Sequence, residues 1–403
     1  MSDFWQLHIE YNKFASLKQQ QTRKCHDNES SLMLRKLDRR TICSFIFAGS
    51  LMPLKNRWCE AQTSEVLLSR VEASNTRVPQ LLLPLTHAAE VQQELGLKGD
   101  KLTRFEKGLR ELDRRWWPAR IQPIEKQRTV VAELEKQLEA GISKIVEADK
   151  LNRLHQIQLQ AQSSRALGRS DVKRLIGLSN LQVDKLNVIF DKNDKLGNKI
   201  NPSKPDADLE AAYQSAKKAE PTDCLELLTQ DQIAKFAQLA GPKFDTLSLS
   251  RIFPFAPELC CNDESVGDDR VQLSTLTGKV LLIHFYAFQC SNCHANFPHY
   301  KRWSSSLTDK GVKVIGIQTP ETQEEKNLEK VLAAAKKQGF NFPVIFDQEN
   351  KNWDAWGNTM WPTVYVVDKR GYIRFWWQGE LNYNGATGDK QIEKLVDQLL
   401  KEV

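Results

Sequence analysis

The sequence predicts an α/β C-terminal domain, a mixed central sheet flanked by helices, preceded by a mainly α-helical domain. Three observations carry this reading. The chain has 403 residues, well over twice the ~150 of a typical domain. Residues 279–286 (KVLLIHFY) form a nearly unbroken apolar run, the pattern of a strand buried on both faces. From 79 to about 244 the apolar residues recur instead at helical spacing, as in Val91, Leu95, Leu102, Phe105, Leu109 and Leu112.

Composition excludes several classes. With 40% hydrophobic and 27% charged residues, the chain is neither a polytopic membrane protein nor wholly disordered. Its net charge is +6, but +4 of that falls in residues 1–61, and residues 246–403 carry −1. No basic stripe interleaved with aromatics appears, so nucleic acid is not an expected partner. The 8 cysteines are too sparse for a disulfide-stapled scaffold, and only Cys290 and Cys293 have a chemically meaningful spacing.

In chain order, 1–32 is a polar extension without helical or strand periodicity, expected to form no packed element. Segment 33–61 resembles a signal peptide. Arg35, Lys36, Arg39 and Arg40 supply a basic n-region, 41–54 an apolar h-region, and Cys59-Glu60-Ala61 a tolerable cleavage site, although Lys55 and Arg57 intervene. It is too short to span a bilayer comfortably. The expected location is therefore extracytoplasmic, periplasmic or cell envelope, and cytoplasmic if the segment is not a signal.

Residues 62–245 read as the mainly helical domain. Pro118 and Pro123 interrupt it after Trp116-Trp117, Gly168 marks a turn, and 196–206 reads as a loop. Thr229 and Gln232 are placed for a capping box. Segments starting at Glu90 and Asp171 resemble each other weakly, and generic amphipathic packing accounts for them. No metal-ligand spacing or nucleophile constellation occurs in this region.

Residues 246–403 form the α/β domain. After the strand at 279–286 come a helix near 291–306, a strand at 312–317, a helix near 328–337 and the short run 343–346. Strands at 363–367 and 372–376 and an amphipathic helix carrying Ile392, Leu395, Val396 and Leu399 complete it. Between the first strand and its helix stands Cys290-Ser291-Asn292-Cys293. A sulfur at a helix N-terminus meets free backbone N–H groups and the positive end of the helix dipole, which favour thiolate. Cys290 is the expected nucleophile. Cys293, one turn on, can attack a mixed disulfide formed at Cys290. With His294 the motif also matches covalent c-type haem attachment, but it follows a buried strand and no second axial ligand stands out, Met360 and His299 being nominal. Vicinal Cys260-Cys261 and Cys224 could form an accessory disulfide or stay free.

The stretches GKVLLIHFYAFQCSNCHANFPHYKRW (278–303), GVKVIGIQTPE (311–321) and WDAWGNTMWPTVYVVDKRGYIRFWWQGE (353–380) resemble the thioredoxin superfamily, closest to the extracytoplasmic TlpA/DipZ kind. The resemblance covers about 246–403 and implies a thioredoxin-like fold. It implies a cis Pro362 beside the dithiol, with Trp361 and Pro362 forming the wall against which a partner peptide pairs. Thr363, Gln289, Ser291 and Asn292 would flank that peptide. Gln289 stands where a Trp is common, Ser291-Asn292 lacks the frequent Pro, and His284 replaces a buried acid. His284 is thus either a base for the Cys293 proton or a core histidine. The implied activity is thiol-disulfide exchange on disulfide-bearing proteins, apocytochromes c among them, with re-reduction by a membrane thiol reductant. The implied redox group is the Cys290–Cys293 disulfide, with no further cofactor. A peroxidase would want a Thr and an Arg around the nucleophile, which the sequence does not identify. The alternative is a non-catalytic binding module on the same fold.

Overall fold

The computed structural model describes residues 68, 70–201, 204–260, 265–266 and 271–402. The extension 1–32 and the signal-like segment 33–61 lie outside the described residues, as does Cys261.

Helical spacing yields nine α-helices before the sheet among the described residues. They are α1 (Leu82–Thr86), α2 (Ala89–Glu94), α3 (Asp100–Ala119), α4 (Ile124–Ile142), α5 (Ala148–Gln162), α6 (Ser170–Ile176), α7 (Asn180–Gly197), α8 (Ala207–Leu225) and α9 (Gln230–Ala240). Pro118 lies in the last turn of α3, and Pro123 caps the start of α4, where a missing N–H costs nothing. The capping box at Thr229 and Gln232 forms, and Ser179 and Gln182 make a second one at α7. The two boxes lock together, Gln182 Nε2 donating to Gln232 Oε1 at 2.7 Å. One apolar core joins α1 to α5 through Leu83, Leu109, Leu134 and Ile157, and a second joins α6 to α9 through Val172, Phe190 and Cys224. No helix among the described residues is long and apolar enough to cross a membrane.

Beyond α9 the chain builds β1 (Ser265–Val266), β2 (Val280–Tyr286), α10 (Ser291–Leu307), β3 (Val312–Gln318), α11 (Leu328–Gln338), β4 (Val344–Phe346), α12 (Lys351–Ala355), β5 (Thr363–Val367), β6 (Ile373–Gln378) and α13 (Gly388–Lys401). The sheet order is β1-β4-β3-β2-β5-β6. β3 runs parallel to both β2 and β4, whereas β5 pairs antiparallel with β2 and β6. The apolar run at β2 is buried at every position, as a central strand covered on both faces must be. Its side chains alternate: Val280, Leu282 and Tyr286 enter one core with α10 and α13, while Leu281, Ile283 and Phe285 enter another.

The helical region reaches into that second core. Trp117 of α3 is 1% exposed and packs with Ile283, Phe285, Trp356 and Tyr365. Its Nε1 donates to Trp356 O at 2.8 Å. Arg120 stacks on the Trp117 ring, 3.6 Å from its centroid, and donates to the carbonyls of Trp356 and Gly357 at 3.1 and 2.9 Å. In return, Phe255 and Tyr372 belong to the first helical core, and Phe255 N donates to Asp113 at 2.7 Å. These contacts cross the sequence-drawn division at 245/246.

Candidate active site

The buried strand β2 ends at Tyr286, and the turn through Ala287–Gln289 delivers Cys290 to the N-cap of α10. Cys290 and Cys293 are joined as a disulfide with their Cα atoms 5.3 Å apart. Cys290 Sγ accepts the Cys293 backbone N–H at 3.3 Å, the bond by which a helix start holds an anion. The pair is asymmetric: Cys290 is half-buried and Cys293 is 0% exposed. Attack from outside can reach only the first sulfur.

The β2–β5 register pairs Phe285 with Thr363, so Pro362 lies at the mouth of the sheet beside the end of β2. The Trp361–Pro362 bond is cis. Trp361 and Cys290 both pack against the cluster that contains Cys293. Trp361 leans on Trp353 with ring centroids 4.1 Å apart, and its Nε1 has no hydrogen-bond partner among the described residues. Gln289, Ser291 and Asn292 are exposed around the dithiol. Thr363 differs from them. Its side chain is buried, and its hydroxyl donates to Met360 O at 2.8 Å, so it shapes the proline loop from within.

His284 sits on the dithiol side of β2 but packs deep, stacked on Tyr300 with centroids 3.9 Å apart. Gly316 on β3 makes room for it, since a Cβ there would lie 3.2 Å from Nε2. Neither ring nitrogen has a hydrogen-bond partner among the described residues, and burial pushes its pKa down to about 3. Such a ring is a poor acceptor for a thiol proton near neutrality, which weighs against His284 as a base. It is a core histidine, although not a hydrogen-bonded one. His294 places Nε2 2.8 Å from Phe288 O, turned back on the preceding turn, which does not suit it as a haem ligand. Among the described residues, Cys224 and Cys260 are free and form no accessory disulfide with each other, and burial, then Glu220, pushes the Cys224 thiol up to about 12. The vicinal Cys260–Cys261 pairing lies outside the described residues.

One residue at this site is absent from the sequence-derived set. Glu325, in the loop after β3, is 0% exposed and accepts the backbone N–H of Gln289 at 2.7 Å. Nothing in the charge-rich run 321–326 marks which carboxylate turns inward; only its bonds do.

A dithiol between a central strand and its helix, with a cis proline at the start of the neighbouring antiparallel strand, defines a thioredoxin-like domain. The C-terminal domain is similar to the TlpA/DipZ kind within the thioredoxin superfamily. The AhpC/TSA family matches residues 255–376. Protein DipZ of Mycobacterium tuberculosis (strain CDC 1551 / Oshkosh) is 36% identical over 136 residues, which is 34% of this chain and 19% of that protein. The chain thus spans about a fifth of the length of these curated relatives. Thiol-disulfide oxidoreductase YkuV of Bacillus subtilis (strain 168) is 25% identical over 146 residues, 36% of this chain and 94% of that protein. A crystal structure of a thiol:disulfide interchange protein DsbE of Chlorobium tepidum aligns with 37% of this chain and 96% of its own, at 20% identity and a TM-score of 0.32.

Proposed function

We propose that the chain is a thiol-disulfide oxidoreductase that exchanges the disulfides of protein substrates through Cys290 and Cys293. The observation that carries this reading is the asymmetry of the pair, a reachable sulfur at the helix N-cap and a buried one a turn away. In the reduced protein, the Cys290 thiolate attacks one sulfur of a substrate disulfide and the other substrate sulfur leaves as thiolate. Cys293, deprotonated in turn, attacks Cys290 Sγ and the second substrate sulfur leaves. Two electrons pass to the substrate, whose thiolates take up the two protons lost by the cysteines, and the Cys290–Cys293 disulfide is the oxidised product.

Trp361 and cis Pro362 supply the wall for the substrate peptide, with Gln289, Ser291 and Asn292 at its rim. The dithiol is the only redox group the reaction needs. The substrates are disulfide-bearing proteins outside the cytoplasm, apocytochromes c among them, and a membrane thiol reductant returns the electrons. The signal-like segment 33–61 and the similarity to DipZ support this location.

The test is a titration of the full chain against glutathione buffers, with thiols trapped by alkylation and located by mass spectrometry. We expect a two-electron transition confined to Cys290 and Cys293, between about −120 and −300 mV, with Cys290 alkylating first. A pair that never forms a disulfide, or stays oxidised well below about −300 mV, removes the basis of exchange. The non-catalytic binding module would then be the better reading.

A further inference from the structure

The loop after β3 grips the residue in front of the nucleophile at three points. Glu325 Oε1 accepts Gln289 N–H at 2.7 Å, while Oε2 accepts the N–H groups of Glu321 and Thr322 at 2.7 and 3.0 Å. The Gln289 side chain is held too: its Nε2 donates to Glu324 Oε2 at 3.2 Å, and its Oε1 accepts the Thr322 hydroxyl at 2.7 Å. Both Glu325 oxygens act only as acceptors, the role of an ionised carboxylate. No cation pairs with it among the described residues. Its neighbour Glu324 is exposed and lies 3.3 Å from Lys330 Nζ of α11. From β2, Tyr286 faces Glu325, and burial followed by that carboxylate pushes its hydroxyl pKa up. From α10, His294 follows Cys293 in the chain and is held on Phe288 O.

We infer that Glu325 is a positioning residue of the dithiol, which fixes the Gln289–Cys290 turn and sets the direction of electron flow toward reduction of the substrate. The inference rests on the oxidoreductase reading above. A dry, uncompensated negative charge one residue from Cys290 opposes formation of the Cys290 thiolate and leaves the neutral disulfide unaffected. It therefore counters the pull of the α10 N-terminus and displaces the couple toward disulfide. A dithiol that prefers to be oxidised gives its electrons away.

The experiment compares the full chain with Glu325→Gln in the same glutathione titration and in the pH profile of Cys290 alkylation. Glu325→Gln should move the equilibrium about tenfold toward dithiol, a potential about 30 mV more oxidising for a two-electron couple. It should also move the alkylation midpoint down by about one pH unit. A merely structural role would lower the denaturation midpoint and leave both readouts unmoved, which would overturn the inference. Gln289→Glu, at an exposed position, keeps the test open if Glu325→Gln does not fold. A second carboxylate there should shift both readouts the opposite way, and no shift overturns the inference equally. Absence of any Cys290–Cys293 couple in the unaltered protein is a different result, and it removes the oxidoreductase reading itself.

Discussion

The two faces of the central sheet are closed by different parts of the chain. On the dithiol face, Val280, Leu282 and Tyr286 pack on Cys293, Phe297 and Tyr300 of α10 and on Ile392 and Val396 of α13, all of them C-terminal residues. On the opposite face, Leu281, Ile283 and Phe285 share a core with Trp117, carried in by α3. The first face can be completed by elements adjacent in sequence. The second is covered by Leu259, Val271 and Trp356 of the same domain together with Trp117 of the helical region. The helical region therefore completes the hydrophobic core of the domain that bears the chemistry.

The largest expected effect tests this difference directly. Trp117→Ala removes a fully buried indole, its bond to Trp356 O and the ring under Arg120, and should cost about 3–5 kcal/mol. Denaturant titration gives the cost, and the glutathione equilibrium of Cys290 and Cys293 shows whether it reaches the dithiol face. A large loss of stability with an unchanged redox equilibrium would establish that the faces are separable. A variant as stable as the parent would break the comparison, because the second face would then not depend on Trp117.

The contrast also explains what the sequence makes legible. The dithiol face is written locally: an apolar run for β2, a Cys-x-x-Cys at its end, and a Trp-Pro-Thr opening β5. The strand announces itself by its apolar run and the Cys290–Cys293 pair by its spacing, whereas the place of Pro362 beside the pair is legible only through the resemblance to the thioredoxin superfamily. Trp117 could not be anticipated, since Trp116 and Trp117 read simply as the end of an amphipathic helix. Trp116 joins the helical core and Trp117 the sheet core, and adjacent residues on a helix diverge by about 100°. Phe255 and Tyr372 were hidden for the same reason, being strand-like residues that finish a core of helices. Glu325 lies in a run of charges whose pattern is that of a solvated loop, and its inward turn depends on two local N–H contacts, from Glu321 and Thr322, and one tertiary contact, from Gln289.

The next effect belongs to the helical region. Glu135 is fully buried, its Oε1 accepting Leu82 N–H at 2.8 Å, and burial pushes its pKa up to about 7. Between the ordinary carboxylate range and that value, the folded chain keeps a proton the unfolded chain has lost. Stability linked to Glu135 is thus complete in acid and drains away as pH rises toward 7, by about 3 kcal/mol in all. Glu135→Gln should become progressively more stable than the parent over that window. A stability difference that does not vary with pH would mean that Glu135 is ionised in the folded protein.

His284, on the sheet, has the opposite sign and the smaller effect. Its pKa is pushed down to about 3 by burial alone, so below about 6.5 the unfolded chain binds a proton that the folded chain refuses. Stability is therefore fully present above that pH and is lost as pH falls, by about 2 kcal/mol at pH 5. His284→Phe keeps a ring against Tyr300 and removes the titration. Its unfolding free energy, measured from pH 7 to pH 5, should decline less steeply than that of the parent by this amount. Parallel curves would show that the imidazole already takes up its proton in the folded state, and would reopen a role for it beside Cys293. Diverging curves would assign acid sensitivity to the sheet and, with Glu135→Gln, sensitivity toward neutral pH to the helices.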